Sequence, residues 1–134
     1  MGAKHGLNYQ QTADLAPEIR RLTDGRGVDV VFDAVGAATW PVNLKAVRKG
    51  GRIVLCGVTT GATAEIDLQN VYWNQLSILG STMGSQNEFG QMLRATAATR
   101  LKPVVDSVWP LEKAPHALAR MARAEQFGKI VLEM

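Results

Sequence analysis

A chain of 134 residues, 46% hydrophobic and 20% charged, has the balance of a folded globular protein, and its 13 glycines and 5 prolines are too few for a collagen-like or low-complexity chain. One core of this size buries roughly two-thirds of the surface that the unfolded chain exposes. The net charge of +3, from 15 Lys and Arg against 12 Asp and Glu, is modest and scattered through helical stretches, so nucleic acid is not an expected partner.

In chain order, Leu15, Ile19 and Leu22 repeat with helical spacing, Pro17 is tolerable only in the first turn, and Asp24-Gly25-Arg26-Gly27 closes the segment as a loop. Val28-Asp29-Val30-Val31-Phe32-Asp33 reads as a strand whose near-continuous apolar run suggests burial on both faces. Trp40, Leu44 and Val47 predict a second helix, with Thr39 as its cap and Gly50-Gly51 as its stop. Arg52 to Gly57 is the next strand and Leu76 to Ser81 the third. Ser85-Gln86-Asn87-Glu88 is a capping box, opening a helix with Phe89, Met92, Leu93 and Thr96 on its expected buried face. Pro103 to Trp109 reads as a strand and Leu111 to about Ala124 as a helix with Leu118, Met121 and Ala122 inward. Lys129 to Leu132 is the closing strand. Strands alternating with amphipathic segments define an α/β chain with a parallel sheet.

The longest apolar runs, such as Val30-Val31-Phe32 and Ile53-Val54-Leu55-Cys56, fall far short of the roughly 18 residues that cross a bilayer. No membrane partner is expected, and the absence of an apolar leader after Met1 makes a cytoplasmic setting the expectation. Cys56, His5 and His116 form no ligand pattern, so neither an internal disulfide nor a metal site is expected. No Ser/His/Asp arrangement, activated cysteine or close carboxylate pair is present, and no catalytic residue is assigned. Three turns remain. Open α/β sheets bind ligands outside the carboxyl ends of their strands, so Ala34-Val35-Gly36, Cys56-Gly57-Val58 and Gly80-Ser81-Thr82-Met83-Gly84 converge on one expected cofactor edge. The plainer reading is that they are simple turns, because glycine punctuates such loops generally. Likewise Cys56 reads as a small core residue, Trp40, Tyr72 and Trp73 as packing anchors, and His116 as a surface or half-buried histidine.

The run Thr23-Asp24-Gly25-Arg26-Gly27-Val28-Asp29-Val30-Val31-Phe32-Asp33-Ala34-Val35-Gly36 resembles the "LT-GRGVDVV-D-VG" segment of medium-chain dehydrogenases/reductases, the zinc alcohol dehydrogenase and quinone oxidoreductase superfamily. Gly2 to Tyr9 is similar to that family's "LGA-HVINY" strand, Lys49 to Gly57 to its "KGGRIV-VG", and Ile78 to Ser81 to its "I-GS". Trp109 to Ala114 and Gly128 to Leu132 resemble its closing "FPLEEA" and "GKIVL". The resemblance covers essentially the whole chain.

It implies an incomplete Rossmann-like open parallel sheet with flanking helices, lacking the first βαβ unit. Residues 1–100 would form a partial nucleotide-binding domain and residues 101–134 a return segment of strand, helix and strand. The expected cofactor is NAD or NADP, with zinc possible in the intact enzyme but no ligands for it in this chain. By this resemblance Ala34, Val35, Gly36, Cys56, Gly57, Val58, Ser81, Thr82 and Met83 lie along the ribose and nicotinamide half of the dinucleotide. Tyr9 corresponds to a position near the adenosine 2′-phosphate, and Lys129 is placed to approach phosphate or carboxamide. A packing role for Tyr9 and a solvated side chain for Lys129 are the plainer alternatives. The G-x-G-x-x-G phosphate turn is not in the sequence: Gly25-Arg26-Gly27 continues as Val28-Asp29-Val30. In the family's 3-2-1-4-5-6 order, the segment at Leu7-Asn8-Tyr9 is strand 3 and Val28–Phe32 is strand 4, which leaves strand 4 an apolar edge that must be covered by re-pairing, swapping or a partner chain. Leu76–Ser81 would be the opposite edge, through which dimeric members pair, so a homodimer is expected. Two functions stay open: the NAD(P)-binding portion of an oxidoreductase, inactive as this chain alone, or a non-catalytic scaffold or dimerisation piece.

Overall fold

A computed structural model describes residues 2–134. These fall into two compact units, one ending at Met83 and the other running Gly84–Met134. The first holds α1 (Leu15–Arg21), β1 (Val28–Asp33), α2 (Trp40–Ala46), β2 (Val47–Leu55), α3 (Leu68–Trp73) and β3 (Ser77–Gly80). Its three strands pair in parallel in the order β1-β2-β3, with Val31 opposite Ile53 and Ile53 opposite Ile78.

Burial of branched side chains on one face of this sheet builds the core. Ile53, at 0% exposure, sits at its centre with Trp40 and Val47, and Val31, Leu44, Leu55 and Leu76 pack around them. Asp14 caps α1 by accepting the Ala16 N–H at 3.1 Å, and Asp67 caps α3 by accepting the Asn70 N–H at 3.2 Å. Thr39 does not cap α2. Its hydroxyl is taken by Asp33 at the end of β1. Helix α2 stops at Ala46, so Val47 and Gly50-Gly51 belong to β2 instead of closing the helix. Between Val28↔Val47 and Val30↔Arg52 the register slips, and Arg48 to Gly51 form a bulge opposite Asp29. Arg48 and Arg26 both pair with Asp29 there and hold its carboxyl well below the usual range, through hydrogen bonds first and charge second.

Leu7-Asn8-Tyr9 is not a strand. The Asn8 side chain accepts the Gln10 N–H at 2.9 Å and its carbonyl accepts Gln11 and Thr12, because a strand needs a neighbour and none is available to it among the described residues. For the same reason β1 pairs on one side only, and the expected bare apolar edge is present: Phe32 is 72% exposed. The strand at Leu76–Ser81 is confined to Ser77–Gly80 and is the other edge. Tyr72 and Trp73, expected as packing anchors, are exposed and meet only edge to face at 6.4 Å. Cys56 is exposed as well, since β2 ends one residue before it.

The second unit holds α4 (Gln86–Thr99), β4 (Val105–Pro110), a 3₁₀ turn (Leu111–Lys113), α5 (Ala114–Ala122) and β5 (Lys129–Glu133), with β4 and β5 paired in parallel. The capping box forms as the sequence predicts: Glu88 accepts the Ser85 N–H at 2.7 Å and Ser85 accepts the Glu88 N–H at 3.3 Å. Its helix departs from expectation, because Phe89, Met92 and Leu93 are exposed; no other element packs extensively along it. In α5 the buried residue is Ala117, not Leu118, Met121 or Ala122. The Asp106 carboxylate joins this unit together, accepting from Arg120 at 2.9 and 3.1 Å and from the Phe127 N–H at 3.0 Å, which lowers its pKa. Among the described residues no helix is long and apolar enough to cross a membrane.

Candidate functional site

Parallel pairing brings the carboxyl ends of β1, β2 and β3 to one edge, where Asp33, Leu55 and Gly80 lie in register. The ladder runs one residue further. Cys56 N–H donates to the Asp33 carbonyl at 2.9 Å, and Ser81 N–H donates to the Leu55 carbonyl at 2.8 Å.

The turn after β1 is organised by a buried carboxylate. Asp33 is 4% exposed, and its Oδ1 accepts the backbone N–H of Val35 at 2.8 Å and of Gly36 at 3.4 Å. Oδ2 accepts the Asn43 amide at 2.7 Å and the Thr39 hydroxyl at 2.9 Å. Burial is the largest single influence on this carboxyl and pushes it up, but the bonds from Val35, Thr39, Gly36 and Asn43 together outweigh it and set the carboxyl below its ordinary value. Asp33 thereby joins the chain turn to the first two turns of α2.

The turn after β2 is pressed against it. Gly36 has φ +89°, and a Cβ there would stand 2.8 Å from the Gly61 carbonyl oxygen and 2.9 Å from Val58 Cα. A Cβ on Gly57 would stand 2.9 Å from the Ala34 carbonyl oxygen. Both positions need glycine for space, and Gly36 for backbone conformation as well. Thr60 stitches the turns together: its N–H and hydroxyl both donate to the Val35 carbonyl, at 2.9 and 2.7 Å, and its Oγ1 accepts the Ala38 N–H at 3.0 Å. Between the turns opens a largely apolar groove of about 280 Å³, lined among others by Gly36, Trp40, Leu55, Val58, Ile66 and Ile78.

Six of the sequence-predicted residues, Ala34, Val35, Gly36, Cys56, Gly57 and Val58, are brought together here, and Gly36 and Val58 line the groove itself. Ser81 joins them through its N–H, whereas Thr82 and Met83 continue outward and are exposed. Tyr9 is exposed in the turn before α1 and does not line the groove; Lys129 begins β5 in the second unit, where its N–H donates to the Val104 carbonyl at 2.8 Å. Sequence reading missed Asp33, Thr39, Asn43 and Thr60 as the frame of the site. An aspartate closing an apolar strand three residues before a glycine is the one local cue. Among the described residues no three His, Cys, Asp or Glu side chains come close enough to hold a metal ion, so this chain does not fit a zinc site.

A parallel sheet whose carboxyl-end turns enclose a groove is the architecture of an α/β ligand-binding domain. Residues 1–98 match the family model described as "Zinc-binding dehydrogenase", and the chain belongs to that family. It is similar to an NAD-dependent alcohol dehydrogenase of Saccharolobus solfataricus, 31% identical over 98% of this chain and 38% of that protein. Among solved structures it resembles an NAD-dependent alcohol dehydrogenase, 40% identical with a TM-score of 0.88 over 99% of this chain and 38% of that one. It also resembles a mycobacterial quinone oxidoreductase, 25% identical with a TM-score of 0.78 over 99% of this chain and 44% of that one. The chain thus spans about 38% of the length of the first two proteins and corresponds to their Rossmann-like C-terminal part.

Proposed function

We propose that the edge formed by the turns after β1 and β2 holds the nicotinamide half of NAD or NADP, as part of a dehydrogenase or reductase larger than this chain. The observation that carries the reading is the apolar groove between Gly36 and Val58, floored by Trp40 and Ile78 and fixed by the Asp33 network. A flat ring and a ribose suit such a groove. Bound there, the dinucleotide would supply a hydride at C4 of its ring, exchanged with an alcohol, aldehyde, ketone, quinone or enone carbon. The chain's own part is to orient and to exclude water: Val58 supplies an apolar wall, and the unengaged backbone groups of Gly57 and Val58 would supply hydrogen bonds at close range, the groups of residues 35–36 being taken by Asp33, Thr60 and the start of α2. Ser81, Thr82 and Met83 would continue the contact beyond β3, and Tyr9 is assigned to the adenosine side by family resemblance alone. We assign no catalytic residue to the chain, and without the glycine-rich phosphate turn we expect it to bind the dinucleotide weakly and to be inactive by itself.

Titration of the purified chain with NADH and NADPH, followed by the fluorescence of the reduced nicotinamide, tests this. Saturable binding in the high micromolar to millimolar range is expected, and its absence at about 5 mM would overturn it. A second reading rests on β3, which pairs on one side only and exposes Leu79. Through that edge two copies would join their sheets as a homodimer. A monomeric mass by light scattering at about 100 μM would argue against it.

A further inference from the structure

The opposite end of the same sheet carries a second concavity. Where α2 runs into β2 and α3 leads to β3, a pocket of about 320 Å³ is lined by Arg20, Lys45, Lys49, Asn70 and Asn74 over a floor of Leu44, Val47 and Leu76. Three of these residues are cationic and none is acidic. Arg20 is immobilised from behind: its Nε donates to the Lys45 carbonyl at 2.8 Å, Nη1 to Gly25 at 3.1 Å and Nη2 to Val47 at 3.3 Å. All three acceptors are neutral carbonyls, so its charge is offset by no carboxylate, and two of the five guanidinium N–H groups remain to donate. Among the described residues neither Lys45 nor Lys49 forms an ion pair.

The pocket wall is fixed as well. Gly50 N–H donates to the Asn74 carbonyl at 2.7 Å, tying the β2 bulge that carries Lys49 to the end of α3. Asn74 Nδ2 donates to Asn70 Oδ1, so Asn70 turns its acceptor toward Asn74 and keeps its own amide N–H groups as unused donors. The unengaged side-chain groups of Arg20, Lys45, Lys49 and Asn70 are therefore donors or cations, set on an ordered wall, whereas Asn74 Oδ1 is an acceptor left without a donor. Preorganised donors with uncompensated positive charge are the recognition chemistry of a multivalent oxyanion.

We propose that this pocket is a binding site for a phosphate group, separate from the cofactor edge at the other end of the sheet. A dianion matches three cations better than a carboxylate does. The volume exceeds what an oxyanion alone occupies, leaving room for ordered water or for the group that a phosphate monoester carries. Inorganic phosphate and phosphate esters share this chemistry.

The test is amide chemical-shift titration of the full chain with inorganic phosphate at constant ionic strength, with adenosine monophosphate in a parallel arm. Saturable shifts are expected at Lys45, Lys49, Asn70 and Asn74, weakened at least about tenfold in a Lys45→Gln, Lys49→Gln double variant, whose two exposed side chains can be replaced without disturbing the core. Tighter binding of the monophosphate would support the site as one for esters; equal or weaker binding would support free phosphate. Phosphate should also raise the thermal midpoint of the wild type and leave that of the double variant unmoved. Shifts that chloride reproduces, or that persist undiminished in the double variant, would overturn the proposal.

Discussion

The two faces of the three-stranded sheet are built from the same kind of residue and end in opposite environments. On one, Val31, Ile53 and Leu55 lie under α2 and Trp40, and Ile53 is wholly buried. On the other, Phe32 pairs with Val54 and Val54 with Leu79 in the next row of the ladder, and Phe32 and Leu79 are exposed. Alternation along a strand sends neighbours to opposite faces, so an uninterrupted apolar run codes for two-sided burial. Only one side is covered by the elements of this unit. The functional edge inherits this asymmetry, since Asp33, Trp40 and the groove all belong to the covered side.

The two faces differ most in what a single truncation removes. Ile53→Ala is expected to cost about 2–5 kcal/mol by denaturant unfolding, and Phe32→Ser less than about 1 kcal/mol, because only the first removes packed atoms. Equal losses would show that the open face is covered in solution. Next in size is Asp33→Ala, expected to cost about 2–4 kcal/mol, since it leaves the Val35 N–H, the Thr39 hydroxyl and the Asn43 amide without their acceptor. Because the folded Asp33 carboxyl lies below its unfolded value, its contribution is complete above that unfolded value, near pH 4, and is lost as the pH falls through the folded pKa. Wild-type stability should therefore decline more steeply with acid than that of Asp33→Asn; parallel acid profiles would assign the loss to other carboxyls. Smallest is Asp29→Asn at the exposed bulge, whose pairs with Arg26 and Arg48 are solvent-screened. Its melting curve should overlay that of the wild type, more closely still at high salt.

Features that depend on a few neighbouring residues were legible in the sequence. The runs Val28–Asp33, Ile53–Leu55 and Ser77–Gly80 are strands because branched side chains favour them locally, and the Ser85–Glu88 box closes on itself. Features that depend on a distant partner were not. Leu7-Asn8-Tyr9 has a strand's sequence without a strand's neighbour among the described residues, and Phe89, Met92 and Leu93 repeat with helical spacing yet stay exposed. The bulge at Arg48 to Gly51 follows from pairing with β1, which glycines alone do not announce. At the site the glycine turns could be read directly. Their frame could not, because Asn43 lies ten residues and Thr60 more than twenty residues from the groups they bind.

The most direct test of the cofactor edge is an amide chemical-shift titration of the wild type and of Gly36→Val with NADH. Saturable shifts are expected at Val35, Gly36, Gly57 and Val58 in the wild type. They should be lost in the variant, whose side chain would meet Val58 and the Gly61 carbonyl, while amides on the Ile53 core face stay in place to report an intact fold. Shifts confined to other residues, or binding of equal strength in the variant, would contradict the assignment.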